Sequence, residues 1–177
     1  MEENVKAPFW KPALIYGAIM GAVSVFIGLV FYFLGLTAAS WTNIVSILIT
    51  IAVMVYCLVL YRKDYLGGFA SFKQIFLMAL VAGVISAIIS TLFTMILFNM
   101  DPELIVSIRI AAEEKIMNNP RIPESMYDTI FERMEKGFEP TRMFSQAFIM
   151  GSVGNAIVGL IAAAFIKREE SPLDAAV

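Results

Sequence analysis

Histidine is absent from this chain and cysteine occurs once, at Cys57. The side chains that most often ligate metals, attack carbonyls or move protons near neutral pH are therefore nearly missing. Charge is scarce as well. Only 16% of the 177 residues are Asp, Glu, Lys or Arg, where a soluble domain carries about a quarter. With 59% apolar residues and a mean hydropathy of +0.79, an ordinary water-soluble domain is excluded. Eleven glycines and seven prolines are too few for collagen or a disordered tail, and a single cysteine rules out a disulfide scaffold. Cys57, alone inside an apolar run, closes no internal disulfide and says nothing about redox compartment.

What is present follows from where the charges are not. Four stretches lack Asp, Glu, Lys and Arg altogether: residues 13–36, 41–61, 74–98 and 143–166. Each reaches the roughly 20 residues that cross about 30 Å of hydrocarbon at 1.5 Å per residue. Backbone in lipid must satisfy its own hydrogen bonds, so the pattern predicts helices. The expected fold is an all-α polytopic membrane protein with four transmembrane helices, forming one membrane domain over residues 1–177. A cleaved signal peptide is the competing view of residues 13–36, with Thr37 and Ala39 at cleavage spacing. The run is longer than a 7–15 residue signal core, and Glu2 and Glu3 dilute its basic flank.

Orientation follows from Lys and Arg in the short flanks. Lys6, Lys11, Arg62, Lys63, Lys73, Lys167 and Arg168 all fall on one side of the four spans, and residues 37–40 carry none. This places both termini in the cytoplasm. Phe9, Trp10, Trp41, Tyr61 and Tyr65 stand at span ends, where an aromatic belt is expected.

Residues 99–142 are the one soluble-looking segment, with six basic and nine acidic side chains. Asp101-Pro102-Glu103 reads as a helix start with a capping carboxylate. Leu104, Ile105, Ile108, Ala112 and Ile116 follow at helical spacing, with Arg109, Glu113 and Glu114 turned away. After Asn118-Asn119-Pro120 a second helix carries Met126, Tyr127, Ile130, Phe131 and Met134, a Glu132–Lys136 pair four apart, and a stop at Gly137. The expectation is an extracytoplasmic amphipathic helical hairpin between helices 3 and 4. It packs on the bundle, lies on the lipid surface or docks a membrane or periplasmic protein through residues 101–137; its acidic balance disfavours anionic lipid.

Small residues mark the helix contacts. Gly17, Gly21 and Gly28 in the first span, Gly83 in the third, and Gly151 and Gly154 in the fourth are candidate packing positions, because helices in lipid associate by close backbone approach. Gly35 continues the seven-residue spacing of Gly21 and Gly28. Contact within one chain and contact between copies in a homo-oligomer both fit. Shifting span one by 62 residues sets Gly17 on Ala79, Gly21 on Gly83 and Gly28 on Ser90. That suggests two parallel hairpins, unless spans rich in small residues align by composition alone. Asn155, near mid-membrane, with Ser90 and Thr94 forms the candidate intramembrane polar site. A bundle-internal hydrogen bond is its simpler explanation.

Further absences bear on function. No span holds an ionisable side chain other than Cys57 or Tyr, so the usual proton relays, ion-pair gates and voltage sensors have no residues to work with. No serine has an activating base within its span. Glu113 and Glu114 are adjacent and point to different helix faces, Gly67-Gly68 lacks a phosphate-loop pattern, and there is no basic patch for nucleic acid. The expectation is a non-enzymatic protein with no catalytic residues, no metal site and no cofactor, contacting membrane lipids. The leading function is an interaction or accessory subunit using the hairpin; the alternative is a small facilitator or transporter for an uncharged or amphipathic molecule.

The link Tyr61-Arg62-Lys63-Asp64-Tyr65-Leu66-Gly67-Gly68-Phe69-Ala70-Ser71-Phe72 is the most distinctive stretch. Its Gly-Gly-Phe-Ala-Ser-Phe resembles the signature of bacterial membrane proteins catalogued as domain of unknown function 4199 (DUF4199). Phe9-Trp10-Lys11 before a glycine-bearing span, Tyr32-Phe33-Leu34-Gly35, Asp101-Pro102 and the basic stop at Lys167-Arg168 extend the resemblance over nearly the whole chain. It implies a four-span protein of the bacterial inner membrane and carries over no functional residues.

Overall fold

The computed structural model of the chain describes residues 9–168. Glu2, Glu3 and Lys6, which bear on the signal-peptide and orientation arguments, lie outside the described residues. The elements are α1 (Trp10–Phe33), α2 (Ser40–Tyr65), α3 (Phe72–Met100), α4 (Pro102–Met117), a single 3-10 turn (Glu124–Met126), α5 (Tyr127–Gly137) and α6 (Pro140–Ile166). α1, α2, α3 and α6 are long and apolar enough to cross a membrane. The chain is a multi-pass, all-helical membrane protein. Its outward surface carries Phe26, Ile44, Leu48, Ile157 and Phe165, which is how a bundle solvated by lipid rather than water should look.

α3 is the central helix, packed along one face on α1 and along another on α6. The small residues set both contacts. Gly17 and Gly21 lie so close to Ile85 and Ile89 that an added Cβ would stand 2.7 and 2.8 Å from their Cβ atoms; at Gly28 it would come 3.1 Å from the Phe93 ring. The pairings rise together along both chains, so α1 and α3 run parallel. Gly83 faces Asn155, Gly159 faces Ala79 and Gly151 faces Ala87; these run in opposite senses, so α6 is antiparallel to α3. Gly154 makes no such contact, with nothing within 4 Å of an added Cβ.

These contacts do not express the internal repeat. The small face of α1 meets α3, whereas the matching positions Ala79 and Gly83 of α3 meet α6. A two-fold relation between hairpins requires those faces to meet each other. The 62-residue match reflects the need of both helices for small residues against different partners.

Helix ends depart from the uncharged runs for local reasons. α1 stops at Phe33, short of residue 36, because Gly35 adopts φ +67° while its N–H donates to Tyr32 O and the Leu36 N–H to Phe31 O. That pair of bonds is a Schellman ending, which needs a left-handed residue. Gly35 therefore closes a helix and packs nothing. α2 continues past Arg62 and Lys63 to Tyr65, since long basic side chains can reach the headgroup level from within a helix. Trp10 and Trp41 are exposed as belt residues should be, but Tyr61 is 2% exposed and belongs to the core, on the inward face of α2.

The core sits at one end of the bundle. Tyr16 and Met20 of α1, Met54, Leu58 and Tyr61 of α2, Met78 of α3 and Ala163 of α6 close together there. Gly67 (φ +63°) and Gly68 (φ +94°) turn the α2–α3 link, and Ser71 with Gln74 forms a capping box at the start of α3. The same link is tied to the end of α6. Ala70 and Arg168 exchange backbone hydrogen bonds of 2.8 and 2.9 Å, Arg62 Nη1 donates to Ile166 O at 2.7 Å, and the Arg168 guanidinium lies 5.2 Å over the Phe69 ring. Lys11, Arg62, Lys63, Lys73, Lys167 and Arg168 thus gather at this end.

Between α3 and α6, α4 and α5 meet through few contacts. Arg109 on α4 pairs with Glu113 at 3.0 Å and reaches Glu135 on α5 at 3.4 Å, and Tyr127 OH donates to Met117 O at 3.2 Å. Arg109 thus links the polar faces of α4 and α5, the acidic residue on α5 offering the guanidinium a second carboxylate. Asp101 does not cap α4 with its side chain. Its carboxylate accepts from Tyr32 OH at 3.0 Å instead, tying the end of α1 to the start of α4. α5 does end at Gly137, without a left-handed φ there.

Candidate functional site: a polar cleft inside the bundle

α2 is pinned at the core end by Met54, Cys57, Leu58 and Tyr61, all buried, while its earlier inward residues Ser46 and Thr50 remain half-exposed. Beyond these residues the side chains of α2 leave a cleft against its neighbours. One chamber of about 170 Å³ lies between α1, α2 and α3, lined by Ser24, Thr37, Thr42, Asn43, Ser46, Ser90 and Thr94 with Phe31 and Phe93. A second of about 360 Å³ lies between α2, α3 and α6, lined by Thr50, Ser86, Gly151, Gly154, Asn155 and Val158. Ser24, Ser46 and Ser90 line both, so the two chambers adjoin. The larger falls in the size range of small-molecule sites.

The structure places the three sequence-predicted polar residues along this cleft: Thr94 in the first chamber, Asn155 in the second, Ser90 between them. They do not bond to one another. Asn155 Nδ2 donates to Gly83 O at 3.0 Å, Ser90 Oγ to Ala87 O at 3.2 Å and Thr94 Oγ1 to Ser90 O at 2.9 Å. An amide in the bundle interior needs such a partner, and the glycine opposite is what lets it reach a backbone carbonyl. Ser24, Thr42 and Thr50 likewise donate to carbonyls of their own or the preceding turn. The common result is that the protons point into the backbone and the oxygen lone pairs stay available to the cleft. Thr37 Oγ1, at the far end, is shut from solvent and has no hydrogen-bond partner.

Sequence reasoning missed Ser24, Thr37 and Thr42. Ser24 is a lone serine in an apolar span, and Thr37 sits in a turn whose position relative to the spans no helical periodicity predicts. No ionisable side chain lines either chamber, and among the described residues no group of three or more Cys, Asp or Glu could hold a metal. The arrangement can accept and donate neutral hydrogen bonds and exclude charge.

Residues 15–168 match the family model described as "Protein of unknown function (DUF4199)". The chain belongs to the DUF4199 family. No curated protein and no solved structure matches it. In this DUF4199 chain the glycine-pair link that carried the resemblance lies at the closed end of the bundle, away from the cleft. It is an architectural motif here: the two left-handed glycines return the chain so that Ala70 can pair with Arg168.

Proposed function

We propose that this protein is a non-enzymatic intramembrane facilitator that takes up an uncharged, amphipathic small molecule. The observation that supports it most is the convergence of Ser and Thr hydroxyls from α1, α2 and α3 with Asn155 of α6 on one uncharged cleft. A bundle serving only as a scaffold has no need to gather its polar side chains around open space; dry small-residue packing would serve better. The apolar plug of Met20, Met54, Leu58 and Met78 argues against an open pore and for one-sided loading. We place the protein in a bacterial inner membrane with its basic end, and both termini, in the cytoplasm; the clustering of Lys and Arg supports that orientation. The cleft then loads from the outer half of the bilayer.

The test is extraction from native membranes in mild detergent, followed by native mass spectrometry. Expected is a stoichiometric uncharged amphiphile that disappears in Gly154→Leu, whose side chain fills the larger chamber. Protein that emerges without any retained small molecule overturns the proposal.

A second reading, an accessory subunit that binds a membrane or periplasmic protein through residues 101–137, has its own support. Val106, Ile110 and Met117 of α4 are 55%, 57% and 50% exposed and lie at helical spacing on one strip. Deleting residues 101–137 should then leave insertion intact and abolish co-purification of a stoichiometric partner. Unchanged capture sinks this reading.

A further inference from the structure

The cleft is graded in polarity along its length, and the gradient specifies more than an amphiphile. At the far end the lining is hydroxyl-rich, with Thr37, Ser46 and Thr94. In the middle it is mixed, with Asn155 beside Gly154 and Val158. Beyond that, Ile51 and Val158 are shared with a third, wholly apolar groove of about 310 Å³ between α2 and α6, which runs past Val55 to Phe165. From Asn43 to Val55 along α2 the path is about 18 Å at 1.5 Å per residue.

Resting on the facilitator reading, we infer that the occupant is a single-chain lipid alcohol. Its hydroxyl head sits in the chamber of Ser24, Ser46, Ser90 and Thr94, and its one hydrocarbon chain lies down the α2–α6 groove toward Phe165. Charge complementarity excludes an ionised head, since the lining has nothing to neutralise it and desolvating an unpaired charge is costly. The hydrogen bonds narrow the head further. Ser24 donates to Met20 O, Ser90 to Ala87 O and Thr94 to Ser90 O, so these three oxygens have spent their protons and can only accept, whereas Asn43 and Ser46 of the same chamber keep side-chain protons to give. An alcohol answers both sets, donating to the first and accepting from the second. A ketone, ester or ether accepts from the second set and leaves the first unmet.

The experiment uses the full chain reconstituted in vesicles of zwitterionic lipid, with two photoactivatable probes: hexadecanol carrying a diazirine in its chain, and the methyl ether of the same compound. The alcohol is expected to label Ile51, Val55, Val158 or Phe165 at stoichiometric yield. The ether should need roughly tenfold more probe for equal labelling, the worth of one buried hydrogen bond at about 1.4 kcal/mol. Ser90→Ala combined with Thr94→Val should bring the alcohol down to the level of the ether, and Gly154→Leu should block both probes. Equal labelling by alcohol and ether overturns the donor-head inference while leaving the cleft as a site for amphiphiles. No labelling of the groove by either probe overturns the cleft reading itself.

Discussion

At the scale of single residues, two glycines of similar sequence appearance have opposite roles. A Cβ on Gly83 would stand 2.6 Å from Asn155 Cβ, an atom that cannot swing aside. Gly83→Ala should therefore destabilise the bundle by about 1–3 kcal/mol, the usual cost of overpacking, read as a lowered midpoint of thermal unfolding in detergent. Gly154→Ala, with open space where its Cβ would go, should shift that midpoint by no more than about 0.5 kcal/mol. If the two variants unfold alike, the close α3–α6 approach at Gly83 is wrong. Asn155→Leu sits between them: it removes the bond to Gly83 O and should cost about 0.6–2 kcal/mol.

At the scale of elements, the turns and the two short helices carry the testable chemistry. Gly67 and Gly68 hold left-handed backbone, where a Cβ costs roughly 1–2 kcal/mol. Gly67→Ala and Gly68→Ala should each loosen the link, and hydrogen exchange at Ala70, whose N–H donates to Arg168 O, should accelerate by about tenfold. On α5 the Lys136 ammonium donates to Glu132 at 2.7 Å and holds its carboxyl below the ordinary 4.5. A depressed folded value means the pair's contribution is present above pH 4.5 and is lost as pH falls through the folded value. Carboxyl NMR should show Glu132 titrating below 4.5, and Lys136→Ala should move it up. No change in Lys136→Ala would mean that the ammonium does not reach Glu132 in solution.

At the scale of the whole molecule, the bundle is tightly packed at its basic end and holds its cleft beyond that core. A plug of methionine, leucine and tyrosine side chains separates the cleft from the α2–α3 link. In a Cys57→Ala background, cysteines placed along α2 should read this out with a small water-soluble maleimide. Asn43→Cys should react fastest, Ser46→Cys and Thr50→Cys progressively more slowly, and Met54→Cys, at a fully buried position, not measurably. Reaction at residue 54 comparable to that at residue 46 would mean that the plug does not hold and that the space runs through the bundle.

Much of this architecture is already determined by composition. Four uncharged runs had to become helices because hydrocarbon cannot hydrogen-bond a bare backbone, and the basic flanks had to gather at one end. Asn155, Ser90 and Thr94 stood out because polar atoms are costly in lipid wherever they occur. Helical periodicity, however, cannot say which face meets which neighbour. Only tertiary structure decided that α3 stands at the centre, that Gly154 borders open space while Gly83 does not, and that Tyr61 belongs to the core. It also decided that Asp101 answers Tyr32 instead of capping its own helix. The cleft is a property of the same kind. It lies where side chains of α1, α2, α3 and α6 meet without filling the space between them, a juxtaposition that no single helix encodes.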